Sequence, residues 1–183
     1  MGIKFQKTMN NETKNQDPML DLVDLQLLDQ LQRDAGLSNL QLAALLHISP
    51  PTCLRRVRRL QHMGLMERQV VIVRPEVLAP MVGHGLQALA EVTLERQHAE
   101  AMDAFEAVAM AEDSVQQCWR VSPGPDFMLV MACRDMPAYL ALSQRLFTAQ
   151  ANVRNVKTFF ATKRAKFSPH LPALAPNHLA DGG

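Results

Sequence analysis

The amino-acid sequence predicts an α+β chain of two parts, a helical N-terminal domain and a C-terminal domain in which strands and helices alternate. Three observations predict it. A cationic helix opened by Ser49, Pro50 and Pro51 follows two shorter apolar-periodic segments. Residues 87–162 then switch between strand-like and helix-like patterning in the order βαββαβ. Within that half, FMLVMAC at residues 127–133 is apolar at every position, which asks for cover on both faces of its sheet.

With 183 residues, 48% hydrophobic and 20% charged, the chain has the composition of a globular protein able to bury real cores. The net charge of +1 hides an asymmetry: residues 1–75 hold ten Lys/Arg against seven Asp/Glu, and residues 76–183 hold nine against eleven. Between Asp34 and Glu67 there is no acidic residue, yet that stretch carries Arg55, Arg56, Arg58 and Arg59. Surfaces that bind phosphate backbones cluster cations and exclude carboxylates. A solvated helix face carries the same charges, and charge alone does not choose. Cys53, Cys118 and Cys133 are odd in number and show no metal-ligand spacing, so neither a disulfide framework nor a metal site nor any other cofactor is expected. The first 18 residues lack an apolar signal core, and no run reaches the ~18 apolar residues of a membrane helix. The expected location is the cytoplasm.

Residues 1–17, rich in Asn, Lys and Gln, read as a flexible arm. The first helix begins at Leu20, carries Leu22, Leu25, Leu28 and Leu31 as its stripe with Asp21, Asp24 and Asp29 on the flank facing away from any DNA, and ends near Gly36. Ser38 or Asn39 caps a short second helix with Leu42, Leu45 and Leu46 inward. His47, Ile48 and Ser49 make a turn, Ser49 caps the third helix, and Pro50 and Pro51 suit its first positions because their missing N–H groups would be unpaired there anyway. At about 100° per residue, Cys53, Leu54, Val57 and Leu60 fall on one side, Thr52, Arg55, Arg59 and His62 on the other, and Arg56 and Arg58 on the flanks. This order is a helix-turn-helix, winged-helix-like, over residues 18–65, whose last helix, about Pro50 to Met63, enters the major groove. Residues 66–83 read as a strand, Gln69 to Arg74, and a linker marked by Pro75 and Pro80, with the domain boundary near residue 80.

The second domain, residues 84–166, reads as strand 87–96, helix 99–111 with Met102, Phe105 and Val108 inward, strands 115–121 and 126–133, helix 137–149 with Leu140, Ser143 and Phe147 aligned, and strand 153–162. That is the ferredoxin-like βαββαβ arrangement, an antiparallel sheet with both helices on one face. No sequence remains to cover the other face of FMLVMAC, so a second copy of the sheet is expected there, in a homodimer in which one of Leu129 and Met131 meets the partner and the other the core. The Pro-rich segment 167–183 reads as an extended or mobile tail.

The segment LDLVDLQLLDQLQRDAGLSNLQLAALLHISPPTCLRRVRRLQHMGLM resembles the DNA-binding half of the Lrp/AsnC, or feast/famine, family of bacterial transcription regulators. The opening Leu-Asp with Asp24, the Ser-Asn before the second helix, the Ser-Pro turn with Cys53 and the run R-R-V-R-R-L before Gly64 carry the resemblance, and the βαββαβ half fits the family's sensing domain. It implies a homodimer able to build octamers, binding to double-stranded promoter DNA, and an amino-acid effector such as Leu or Met held between dimers. In the family, the loop between the second and third strands reads Gly-x-x-Asp-Tyr. Here it is VSPGPDFML, so Asp126 and Phe127 match, Pro123 stands at the Gly position and Gly124 lies one place later. Lys163 and Arg164 stand where many relatives carry acidic residues.

The candidate DNA-binding residues are Ser49, Pro51, Thr52, Arg55, Arg56, Arg58 and Arg59. The candidate effector residues are Ser122, Gly124, Asp126, Phe127, Thr158 and Phe160. The alternatives are a siroheme-decarboxylase-like enzyme, which resembles the family in both domains, and a regulator that organises DNA without a ligand. No catalytic constellation is expected, since of six histidines only His98 falls within the predicted elements of the second domain.

Overall fold

The computed structural model describes residues 19–83 and 85–174, so the expected arm lies outside the described residues. They form two compact units, one of the residues up to Val70 together with those from Ser168, the other Val71–Phe167. No helix among them is long and apolar enough to cross a membrane.

The first unit contains α1 (Leu22–Arg33), α2 (Asn39–Leu45) and α3 (Pro50–His62). Each helix start is capped. Asp21 and Asp24 exchange backbone-to-carboxylate hydrogen bonds in a capping box, Ser38 and Gln41 form a second, and the Ser49 hydroxyl accepts from the Thr52 N–H. Leu27, Leu42, Ala43, Cys53 and Leu60 are the buried core, with Val23, Leu28, Leu31, Ile48 and Val57 packed around them. The expected stripe of α1 is therefore corrected. Leucines spaced by exactly three drift about 60° per step on a helix of 3.6 residues per turn, so Leu22 turns outward and Leu27 inward. On the flank of that stripe, Asp24 and Asp29 are buried and ion-paired. In α2 and α3, Leu45 and Leu54 are exposed, leaving Cys53, Val57 and Leu60 as the inward stripe of α3.

Two expectations for residues 66–83 fail. Residues 69–74 pair with no strand among the described residues, and 75–82 form a helix, α4 (Pro75–Val82), rather than a linker. A lone strand has no ladder to satisfy its backbone. Pro75 sits at a helix start, where its missing N–H is harmless, and Gly83 ends α4 at φ 63°. The unit boundary accordingly falls between Val70 and Val71 rather than near residue 80.

The second unit adds β1 (Leu86–Leu94), α5 (Ala99–Met110), β2 (Val115–Arg120), β3 (Phe127–Cys133), α6 (Met136–Ser143) continued by a π-helical turn at Gln144–Thr148, and β4 (Val153–Phe160). The sheet is antiparallel in the order β2-β3-β1-β4, the ferredoxin-like topology that the alternation predicts. One face packs on the helices: Ala88, Ala90, Val92, Leu94, Phe127, Leu129, Met131 and Cys133 meet Phe105, Ala109, Tyr139, Leu142, Leu146 and Phe147. Leu140 is exposed, and Tyr139, Leu142 and Leu146 take the inward positions of α6 and its turn.

The pleat corrects the expected division of β3. Leu129 and Met131 are two residues apart, share one face and are both fully buried against the helices. The other face carries Met128, Val130 and Ala132. Register sets Trp119 beside Met128 and Leu89 beside both Val130 and Phe159, and Trp119 and Phe159 are exposed at 58% and 44%.

Candidate nucleic-acid interface and effector loop

The four arginines of α3 divide into two pairs. Arg56 and Arg59 turn toward α1, where the fully buried carboxylate of Asp24 accepts from Arg56 Nη1 at 2.7 Å and from Arg59 Nη1 at 3.1 Å. The same Arg56 nitrogen reaches both carboxylate oxygens of Asp21, at 2.9 and 2.7 Å, and Arg59 Nη2 donates to the Met19 carbonyl. Only 19% of the Arg56 side chain is accessible. Its charge is already matched inside the unit, so it serves to bolt α3 onto α1, and Arg59, expected to point away from the core stripe, shares that bond. Charge counting missed this bolt, although Asp21 and Asp24 were legible as a capping pair three residues apart.

Arg55 and Arg58 are exposed and make no ion pair among the described residues. Together with Pro51, Leu54, Arg59 and His62 they line a shallow groove along α3. At its N-terminus Ser49 Oγ donates to Thr52 Oγ1 at 2.8 Å, which leaves the exposed helix start able to offer hydroxyl and backbone donors. Asn39 Nδ2 donates to the Pro50 carbonyl at 2.8 Å and ties α2 to the start of α3. Pro51, Arg55, Arg58 and Arg59 thus line one groove, Ser49 and Thr52 sit at the start of the same helix, and Arg56 is not part of the groove.

The candidate effector residues are not brought together within one chain. Asp126 Oδ2 accepts from the Leu94 N–H at 2.7 Å and from Gln97 Nε2 at 3.2 Å, while the Asp126 N–H donates to the Val92 carbonyl. These bonds fix the β2–β3 loop to the end of β1. Phe127 is fully buried with its ring 4.8 Å from that of Phe105. Thr158 and Phe160 lie on β4, on the far side of β1, where Tyr139 donates its hydroxyl to Thr158 Oγ1 at 2.9 Å and meets Phe160 edge-on. Ser122 and Gly124 remain exposed. Gly124 adopts φ +124°, a backbone conformation that L side chains avoid, and a Cβ there would meet open space. Its requirement is conformational, not one of close approach. Gln97 and Tyr139, the partners of these residues, carried no signal in the sequence.

A capped cationic helix at the end of a three-helix unit, joined to an antiparallel βαββαβ sheet, defines a two-domain DNA-binding regulator. Residues 20–65 match the winged helix-turn-helix DNA-binding family and residues 87–171 match the Lrp/AsnC ligand-binding domain. An HTH-type transcriptional regulator of Haemophilus influenzae is 32% identical over 80% of this chain and 85% of its own length. The leucine-responsive regulatory protein of Salmonella typhimurium is 30% identical over 83% of this chain and 90% of its own. The chain belongs to the Lrp/AsnC family of transcription regulators. Among solved structures, a Neisseria meningitidis transcriptional regulator in complex with L-Met aligns at TM-score 0.75 and 27% identity, over 88% of this chain and 99% of that one. An AsnC family regulator of Agrobacterium tumefaciens aligns at TM-score 0.75 and 25% identity, over 84% and 97%.

The bolt between α1 and α3 gives a first prediction. Asp24→Asn leaves Arg56 and Arg59 without their shared carboxylate, and losing one partner of a buried pair costs about 3–5 kcal/mol. Hydrogen exchange across α1 and α3 should accelerate accordingly, and a loss below about 1 kcal/mol would show that the bolt is dispensable. The same unit should weaken in acid. The Asp24 backbone N–H, and then Arg56, hold the Asp21 carboxyl below its ordinary value of 3.8. Its contribution is complete above that value and is lost as the pH falls through the depressed pKa.

Proposed function

We propose that this chain is a cytoplasmic, homodimeric regulator that binds double-stranded promoter DNA through the exposed face of α3 and is modulated by a small amino acid. The observation that carries the DNA reading is the division of the arginines: Arg56 and Arg59 are paired with the carboxylates of Asp21 and Asp24, and Arg55 and Arg58 are exposed with no ion pair among the described residues, open to a polyanion. Ser49, Pro51 and Thr52 set the helix start against the phosphate backbone, and Arg59 adds a partial contribution from the groove edge.

The apolar open face of the sheet supports the homodimer. Trp119, Met128, Val130, Leu89 and Phe159 form a continuous patch, and its like on a second copy is the self-complementary cover that a twofold axis supplies. Higher assembly to octamers is part of the same proposal, supported by the likeness to the Lrp/AsnC family. For the effector, Leu or Met is the class proposed, on the strength of the L-Met complex of the Neisseria meningitidis relative. Ser122 and Gly124 are the exposed loop positions that meet it at a contact between dimers, and Asp126 acts by holding the loop in shape. Enzymatic decarboxylation is not favoured. His98, the histidine of the sensing domain, is an exposed helix cap 3.2 Å from Glu100, and the relatives are regulators.

Fluorescence anisotropy on a duplex selected in vitro tests the interface. Arg55→Ala and Arg58→Ala should each weaken binding by about 1–3 kcal/mol while leaving the fold intact. Binding at wild-type strength by both variants would remove the proposed surface. Sedimentation tests the dimer. Val130→Glu should yield a folded monomer, whereas Leu129→Glu, on the opposite face, should unfold the sheet domain. A Val130→Glu protein of unchanged mass would place the partner elsewhere.

A further inference from the structure

Of the extended or mobile tail expected, residues 168–171 take up irregular backbone held against Asp29 and Gln32 of α1 within the first unit. Gln32 clamps the backbone of a single residue there. Its Nε2 donates to the Leu171 carbonyl at 3.0 Å and its Oε1 accepts from the Leu171 N–H at 2.7 Å. One turn earlier, Asp29 Oδ1 lies 2.9 Å from His170 Nε2. Asp29 is 5% exposed and its carboxylate also takes Arg33 Nε at 2.8 Å, so it is ionised and His170 Nε2 must be the donor.

We infer that the outer face of α1 is a docking site for the chain's own C-terminal segment, recognising His170 through Asp29 and the Leu171 peptide groups through Gln32. Apolar burial does not drive it, because the Leu171 side chain is 74% exposed. Polar bonds carry the contact, one of them charge-assisted. Prolines lower its cost. Pro169 and Pro172 bracket the His-Leu pair and bias the residues before them, Ser168 and Leu171, toward extended backbone before docking, and Ser168 Oγ accepts from the His170 N–H at 3.3 Å. The consequence is topological. The chain leaves the first unit after Val70 and returns to it at Ser168, so the DNA-binding unit is attached to the sensing unit at two places along the sequence. None of this depends on the DNA or dimer readings above.

Hydrogen exchange on the full-length protein reads the site cleanly, because proline supplies no amide and residues 168–172 contain only the amides of Ser168, His170 and Leu171. The Leu171 amide should exchange at least about tenfold more slowly than in the free peptide, and Gln32→Ala should release it. Free-rate exchange in the wild type, or unchanged protection in Gln32→Ala, would overturn the inference. Repeating the exchange over a range of protein concentrations tests whose tail is bound. Protection of the Leu171 amide that does not change on dilution supports docking within one chain. Protection lost on dilution overturns it.

Discussion

The carboxylate of Asp24 is the point on which the DNA-binding unit turns. It is fully buried, a costly place for a charge, and it persists because Arg56 and Arg59 approach it from α3 while the Asp21 backbone N–H approaches from its own helix. Burial of a compensated ion sets the rotation of α3 about its own axis. With Arg56 held against α1, Arg55 and Arg58 stay exposed, and Arg59, one turn on from Arg55, both reaches Asp24 and borders their groove. One interaction thus contributes both to the packing of α3 and to the charge it leaves exposed.

In the sensing domain the equivalent constraint is the pleat of β3. A strand that is apolar at every position has no polar face to show solvent, and the helices satisfy one half of it. The Phe127, Leu129, Met131, Cys133 series belongs to the fold, and the Met128, Val130, Ala132 series lies on the face that the proposed dimer covers. The β2–β3 loop is secured in the same economical way, with Asp126 bonded to β1 so that the exposed Ser122 and Gly124 sit on a fixed base.

The strand and helix order of the second domain was legible because alternation and periodicity report local patterning directly, and Ser49-Pro-Pro marked the start of α3 for the same reason. Positions set by three-dimensional partners were not. Leu22 to Leu31 spaced by three mimicked a stripe that the helical period places elsewhere, and Gln69 to Arg74 had the composition of a strand with no neighbour to pair with among the described residues. Arg56 looked like its neighbours in the run R-R-V-R-R, since nothing in the run says which arginine meets a carboxylate 32 residues earlier. Phe127 matched a family ligand position by type, yet its place in the pleat puts it under Phe105. His170 in a proline-rich stretch gave no sign that Asp29 awaited it.

The central claim is that Arg56 of α3 serves the unit's own fold while Arg55 and Arg58 serve DNA. Nuclear magnetic resonance of labelled arginine side chains, followed as operator-bearing duplex is added, tests it most directly. The Nε–H resonances of Arg55 and Arg58 should move on binding while that of Arg56 keeps its position. An Arg56 signal that shifts as far as those of Arg55 and Arg58 would mean that it leaves Asp24 for the DNA, and would contradict the account.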